Sequence, residues 1–206
     1  MIAILDYKIG NVGSVRNAFD KLNFPSVVTN NPDIIHKADA LVLPGVGAAG
    51  KGMENLKNGK LIKCLKSQIA KKKPFLGICL GMQLLFETSE EGDTKCLAVL
   101  KGQVKKFQKE KKIPQIGWNE VRKQITDNRK QNYRKLFWEI PNKSYFYFVN
   151  SYYCNPENKS LVVGETEYGE NFASIIAKDN IVATQFHPEK SGSVGMKFLK
   201  NWRNLW

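Results

Sequence analysis

In the first eighty residues, short runs of strand-forming side chains alternate with segments of helical period, and this constrains the fold more than any other feature of the chain. The runs are Ile2–Leu5, Ser26–Thr29, Ala40–Leu43 and Pro74–Ile78. Between the first two, Val12, Val15, Phe19 and Leu22 recur at helical spacing, and Asn11 stands where an N-cap belongs. Asn30-Asn31-Pro32-Asp33 opens a further helical turn, and residues 48–72 carry a helical pattern broken near Asn58-Gly59, with Leu61, Leu65 and Ile69 marking its second piece. A continuous apolar run such as Ala40–Leu43, without polar alternation, suits a parallel strand covered on both faces. The order βαβαβαβα predicts an α/β fold with a mostly parallel, doubly wound central sheet and flanking helices. Ligands of such sheets sit beyond the carboxyl ends of the strands, where Pro44–Gly47 and Cys79 fall.

The second half predicts an additional β-rich region. Residues 97–100, 102–107, 119–125, 145–150, 161–167 and 173–177 have strand character, and Ile181–Phe186 makes a last inner strand. A closing helix carries Val194, Phe198, Leu199 and Trp202. The chain shows no internal repeat, no low-complexity tract and no linker, so residues 1–206 are expected to form one domain.

Hydrophobic content of 42% and charged content of 25% are globular values, and no apolar run approaches the 18 or so residues of a membrane span. Met1–Asp6 lacks a basic n-region and breaks at Asp6, which suits a first strand and not a signal peptide. The cysteines, Cys64, Cys79, Cys96 and Cys154, are widely scattered, with no C-x-x-C pair, and there are two histidines. Reduced thiols, a cytoplasmic setting, no metal site and no cofactor are the expectations. The net charge of +13 invites a nucleic-acid reading. Lysine nevertheless far outnumbers arginine, which occurs at Arg16, Arg122, Arg129, Arg134 and Arg203. The densest cluster, Lys101, Lys105, Lys106, Lys109, Lys111 and Lys112, has Phe107 as its one interleaved aromatic, which favours a solvated lysine surface. A non-catalytic basic binding module is the alternative from another class.

Gly77-Ile78-Cys79-Leu80-Gly81-Met82-Gln83 follows the fourth run and precedes Leu84, Leu85 and Phe86, which extend a helix. A strand turning sharply into a helix at G-x-C-x-G is a nucleophile elbow with cysteine as the nucleophile. The flanking glycines keep side chains out of a tight turn, and the helix N-terminus favours a thiolate. A buried, inert cysteine in a glycine-punctuated turn would give the same heptapeptide. A nucleophilic Cys79 needs a base. His36, within or at the end of an early helix, suits a structural or solvent-facing role, whereas His187 directly follows an apolar strand. Pro188 biases His187 toward extended backbone, so Glu189, two residues on, points the same way and can orient the imidazole. For an oxyanion, the Leu80 amide is one candidate donor and the backbone at Gly45-Val46-Gly47 the other.

Leu43-Pro44-Gly45-Val46-Gly47, Gly77 through Phe86, Gly117-Trp118-Asn119 and Gln185-Phe186-His187-Pro188-Glu189-Lys190-Ser191 stand in that order along the chain. Together they resemble the class I (triad) glutamine amidotransferases, and within that class the glutaminase subunits of imidazole glycerol phosphate synthases, over essentially the whole length. The resemblance implies a flavodoxin-like fold and a Cys79–His187–Glu189 triad that hydrolyses glutamine to glutamate and ammonia. It implies an oxyanion hole from Leu80, Gly45 and Val46, held misaligned until a partner binds its own ligand. It also implies that Gly47, Gln83, Ser151 and Tyr152 hold the glutamine. The implied partner is a (β/α)8-barrel cyclase, which takes the ammonia to make imidazole glycerol phosphate and AICAR in histidine biosynthesis. Trp118, Lys190 and Asn11 match positions used at that interface, although Trp118 could be a core aromatic and Lys190 one more solvated lysine. The chain departs from the pattern at Lys8, where glycine is common, and at Gln115 and Asn150, where histidine is usual. A paralogous subunit feeding another acceptor, such as a sugar amidated in surface-polysaccharide synthesis, therefore stays open.

Overall fold

The computed structural model describes residues 1–109, 112–125 and 128–206, and of 128–132 the backbone path alone. In chain order the strands and helices are β1 (Ile2–Leu5), α1 (Val12–Lys21), β2 (Ser26–Thr29), α2 (Pro32–Lys37), β3 (Ala40–Leu43), α3 (Ala49–Asn58), α4 (Leu61–Ala70) and β4 (Phe75–Ile78). There follow α5 (Leu80–Gln83), β5 (Thr88–Ser89), β6 (Thr94–Lys95), β7 (Gly102–Lys106), β8 (Gln115–Lys123) and β9 (Ser144–Asn150). The chain ends with β10 (Tyr152–Pro156), β11 (Val162–Tyr168), β12 (Glu170–Lys178), β13 (Ile181–Thr184) and α6 (Gly192–Arg203).

β2, β1, β3, β4 and β13 lie side by side and parallel. Beyond β13 the sheet turns antiparallel through β12, β10 and β7, and at β12 it branches, through β11 and β8, to β9. Side chains two apart on a strand share a face, and this splits the core in two. Ile2, Ile4, Val42, Leu76 and Val182 meet Val15 and Phe19 of α1 and Phe198 and Trp202 of α6. Ala3, Leu5, Leu41, Leu43 and Phe75 meet Leu56 of α3 and Leu61 and Leu65 of α4. Each such fully buried apolar side chain contributes about 1.5–3 kcal/mol through its removal from water. Covered on both faces, the inner strands have every reason to be apolar throughout, and the expected α/β class holds.

Three local expectations need correction. The helix after Cys79 was expected to include Leu84, Leu85 and Phe86, yet α5 is a single turn ending at Gln83. Residues 97–100, expected as a strand, pair with no strand. One fact explains both. The N–H groups of Leu97, Ala98, Val99 and Leu100 donate to the carbonyls of Leu84, Phe86 and Leu85, so this apolar run satisfies backbone acceptors after α5 that a longer helix would have satisfied itself. The last inner strand stops at Thr184 and not at Phe186, and β10 was not anticipated at all. His36 is exposed on α2, its Nδ1 2.6 Å from Gln68 Nε2, a structural contact as expected. Of the lysine cluster, Lys101, Lys106, Lys109 and Lys112 are exposed, while Lys111 lies outside the described residues, as does the side chain of Arg129. Phe107 turns inward against Tyr153, Tyr168 and Phe172, so it offers no stacking platform to a nucleic acid. Among the described residues no helix is long and apolar enough to cross a membrane.

Candidate active site

Cys79 leaves β4 at φ +53°, ψ −108°, a conformation rare for a residue with a side chain, and α5 begins at the next residue. A Cβ on Gly77 would lie 2.9 Å from the Gly81 carbonyl oxygen, and one on Gly81 would lie 1.8 Å from that of Leu43. Both glycines are therefore steric requirements of the elbow. The Cys79 N–H donates to the Thr184 carbonyl at 2.7 Å, which fastens the elbow to the end of β13. With α5 only one turn long, few peptide dipoles line up behind the sulfur, so the expected dipole effect is small. Two hydrogen-bonding groups meet the sulfur: Gln185 Nε2, which donates to it at 3.7 Å, and the Val149 carbonyl oxygen at 3.9 Å.

His187 is extended (φ −96°, ψ 95°) and follows β13, the strand beside β4. Its Nδ1 lies 2.8 Å from Glu189 Oε1, with both side chains almost wholly buried. Nε2 is buried with no hydrogen bond of good geometry, and the Cys79 side chain is the group that interacts with the ring besides Glu189. Burial by itself would lower the imidazole's proton affinity, but the charge of Cys79 and the Glu189 carboxylate outweigh it and hold the ring's pKa at about 10. The loop is anchored to β9 at two points. The His187 N–H donates to the Tyr147 carbonyl at 2.9 Å, and Ser191 Oγ accepts from the Tyr147 N–H at 3.0 Å while donating to the His187 carbonyl at 2.6 Å. The sequence reading assigned neither Tyr147 nor Ser191 a role; their contribution is made through backbone contacts that no local pattern announces.

A cavity of about 350 Å³ opens beside the sulfur, lined by Val46, Gly47, Cys79, Leu80, Gln83, Ser151 and Tyr152, together with Glu91, Pro114 and Asn150. The four residues expected to hold a glutamine all border it. Gln83 Nε2 donates to the Tyr152 carbonyl and to Gln185 Oε1, each at 3.1 Å. Glu91, which the sequence reading missed in an unremarkable acidic stretch, brings a carboxylate to the wall and accepts from the Ala49 N–H at 2.7 Å.

The expected oxyanion donors are not open in this structure. The Leu80 N–H is directed at the Gly45 carbonyl, 3.4 Å away. That carbonyl and the Val46 N–H belong to one trans peptide and point in opposite directions, so the Val46 amide faces away. Gly45 has no room for a side chain, since a Cβ would sit 2.4 Å from the Tyr7 hydroxyl, which itself donates to the Pro44 carbonyl at 2.7 Å. Burial, and secondarily the Cys79 charge, push the Tyr7 phenol's pKa far up and keep it a donor.

None of the expected interface residues borders the cavity. Trp118 is 55% exposed with its edge against the Tyr147 ring, which excludes the core-aromatic reading, and Ile116, two residues earlier on the same face of β8, is 62% exposed. Lys190 is exposed at the end of the turn after His187, and exposed Asn11 caps α1 by accepting from the Ser14 N–H at 3.1 Å. The departures at Gln115 and Asn150 are direct cross-strand neighbours, both buried. Among the described residues no group of three His, Cys, Asp or Glu side chains is placed to hold a metal ion.

Residues 3–204 match the family model described as glutamine amidotransferase class-I. The chain belongs to the class I glutamine amidotransferases. This amidotransferase is 48% identical to the imidazole glycerol phosphate synthase subunit HisH 1 of Methanococcus maripaludis over 210 residues, covering 100% of both chains. It is 46% identical to subunit HisH of Methanocaldococcus jannaschii, again over 100% of both. To the HisH of Dehalococcoides mccartyi strain 195 it is 43% identical, over 98% of this chain and 96% of that one. Among solved structures, a glutamine amidotransferase shares the fold with TM-score 0.76 at 13% identity, over 99% of this chain and 97% of the other. PurLQS from Thermotoga maritima does so with TM-score 0.73 at 17% identity, over 98% and 97%.

Proposed function

We propose that this chain works as one unit, the glutaminase subunit of an imidazole glycerol phosphate synthase. The observation that carries the reading is buried Cys79 on the wall of a cavity of small-molecule size, with the buried His187–Glu189 pair on the adjoining strand end. Cys79 as thiolate adds to the side-chain amide carbon of glutamine, forming a C–S bond while the carbonyl electron pair moves onto oxygen. The adduct collapses, the C–N bond breaks, and the His187 imidazolium gives its proton to the departing nitrogen, releasing ammonia and leaving a glutamyl thioester. Neutral His187 then takes a proton from water, whose oxygen adds to the thioester carbon. The C–S bond breaks, returning the thiolate and glutamate. Glu189 holds the ring's tautomer throughout.

Gln83, Gly47, Ser151 and Tyr152 hold the glutamine, and the Glu91 carboxylate suits its ammonium group. Leu80 and Val46 serve the oxyanion once the Gly45–Val46 peptide has turned over. A partner makes that turn worthwhile: a (β/α)8-barrel cyclase docked over Trp118, Lys190 and Asn11, which receives the ammonia before bulk water protonates it. The exposed apolar pair Ile116 and Trp118 favours a partner on this face. Such a heterodimer would work in the cytoplasm and complete imidazole glycerol phosphate and AICAR.

A paralogous assignment keeps the chemistry and changes the acceptor. Methanococcus maripaludis has two such subunits, HisH 1 and HisH 2, which match this chain at 48% and 45% identity, and both are named as subunits of imidazole glycerol phosphate synthase. The test is glutamate release by the chain alone and with the histidine-pathway cyclase, with and without that cyclase's nucleotide ligand. Low activity alone, at least a hundredfold stimulation in the liganded complex and none in Cys79→Ala are expected, from the usual worth of a restored oxyanion donor, about 10²–10³ in rate. Residual turnover in Cys79→Ala would sink the mechanism. An active triad with no response to the cyclase would transfer the assignment to the paralogous acceptor.

A further inference from the structure

Gln185 lies two residues before His187 and its side chain is wholly buried. It does not border the glutamine cavity, yet it reaches the nucleophile: its Nε2 is 3.7 Å from Cys79 Sγ, within hydrogen-bond range for sulfur. Which end of its amide meets the sulfur is decided by a backbone group that has one orientation only. The Tyr152 carbonyl can only accept, and it faces Gln83 at 3.1 Å, so Gln83 must present its NH2 there. The same NH2 meets Gln185 at 3.1 Å, so Gln185 must present its oxygen to Gln83. Its own NH2 is then left for the sulfur. Asn150 Nδ2 donates to the same Tyr152 carbonyl at 3.0 Å and secures the acceptor at the head of the chain.

The result is a line of hydrogen bonds between the Tyr152 carbonyl, at the cavity wall, and the sulfur, in which Gln83 donates both to Tyr152 and to Gln185, and Gln185 donates to Cys79. α5 is a single turn, and so does little for a thiolate. An amide N–H directed at the sulfur from a buried position does more, because a hydrogen bond to a charged group is stronger than one to a neutral group and burial removes competing water.

We propose that Gln185 is a further catalytic residue, donating from its side-chain amide to Cys79 Sγ to hold the thiolate ready, with Gln83 fixing the direction of that amide from the cavity side. This rests on the glutaminase reading, in which Cys79 is the nucleophile. The line also gives glutamine binding a route to the nucleophile: a substrate that draws Gln83 toward the cavity changes what Gln83 can offer Gln185.

The test is the rate of Cys79 alkylation by iodoacetamide as a function of pH, together with steady-state glutamine hydrolysis. It is run on wild type, Gln185→Met, which keeps the volume without a donor, and Gln185→Asn, which keeps an amide too short to reach. Far-UV circular dichroism and a cooperative melt identify the variants that fold. The inflection of the alkylation profile is expected to rise by about one pH unit in either variant, the size expected when a thiolate loses one charge-assisted hydrogen bond. Below the inflection kcat should then fall about tenfold with KM changed less than kcat. A folded variant whose inflection stays at the wild-type pH overturns the proposal, as would an equal loss at all pH values. Cys79→Ala run in parallel separates the two layers: turnover without the thiol removes the glutaminase reading itself, whereas a thiol-dependent enzyme indifferent to Gln185 removes only this inference.

Discussion

Lys8 stands at φ +64°, with its N–H donating to Asp6 Oδ1 at 3.0 Å. A side chain in that region carries a steric cost of about 1–2 kcal/mol, which glycine would not carry. Glycine loses about 0.5–1 kcal/mol in extra chain entropy, so Lys8→Gly should stabilise the protein by about 0.5 kcal/mol, read as a higher urea midpoint at unchanged m-value. At this scale the sequence was informative where chemistry and spacing coincide. Glu189 reaches His187 because two residues of extended chain separate them, and Gly77 and Gly81 bracket Cys79 because a Cβ at either would meet a backbone carbonyl. Gln185 and Glu91 stayed unread because what gives each its meaning, a sulfur 106 positions away or a cavity wall, lies outside its own neighbourhood in the chain.

Between elements, the segment after β13 joins the sheet to α6 through an aromatic cluster. The Phe186 ring stacks on Phe146 at 4.1 Å between centroids and meets Phe148 and Phe198 edge-on, each at 5.7 Å. Phe186 is fully buried, so Phe186→Ala should cost about 3–5 kcal/mol, measurable as a lowered denaturant midpoint. It stands between Gln185 and His187, so glutaminase activity should fall in the fraction that remains folded. Helical periods were legible where a helix buries one face, as in α1, α4 and α6. They misled where Leu84, Leu85 and Phe86 are buried on every side, because a continuous apolar run looks the same whether helix or loop.

For the molecule as a whole, the parallel half could be read from the order of its runs, since short connections and covered strands leave few arrangements. The antiparallel half could not. β10 meets β7 and β12, and β11 meets β8, pairings between segments well separated in sequence that no local period encodes. Global stability should carry the signature of the buried histidine. His187 is protonated to about pH 10 in the folded chain and to about 6.5 when unfolded, so the folded state holds the extra proton between those values. Its contribution is full below pH 6.5 and is lost as pH rises through about 10. Thermal midpoints of wild type should therefore decline across that window relative to those of His187→Gln; parallel curves would contradict the ring's assignment.

β4 and β13 are immediate parallel neighbours, with Ile78 opposite Thr184. Cys79 and the segment leading to His187 thus leave the sheet side by side, separated by the roughly 4.8 Å rung of a β-ladder and not by the wandering of two loops. Such a rung does not stretch, so the proposed nucleophile and base would form the part of the machine that has no off position. On the proposed reading, any idle state has to be written elsewhere, and the Gly45–Val46 peptide, whose carbonyl rests against the Leu80 amide, is the candidate. Turning a single peptide plane is a small displacement, within reach of any surface that presses on the neighbouring loop, while the sheet beneath keeps its register and the chemistry stays assembled.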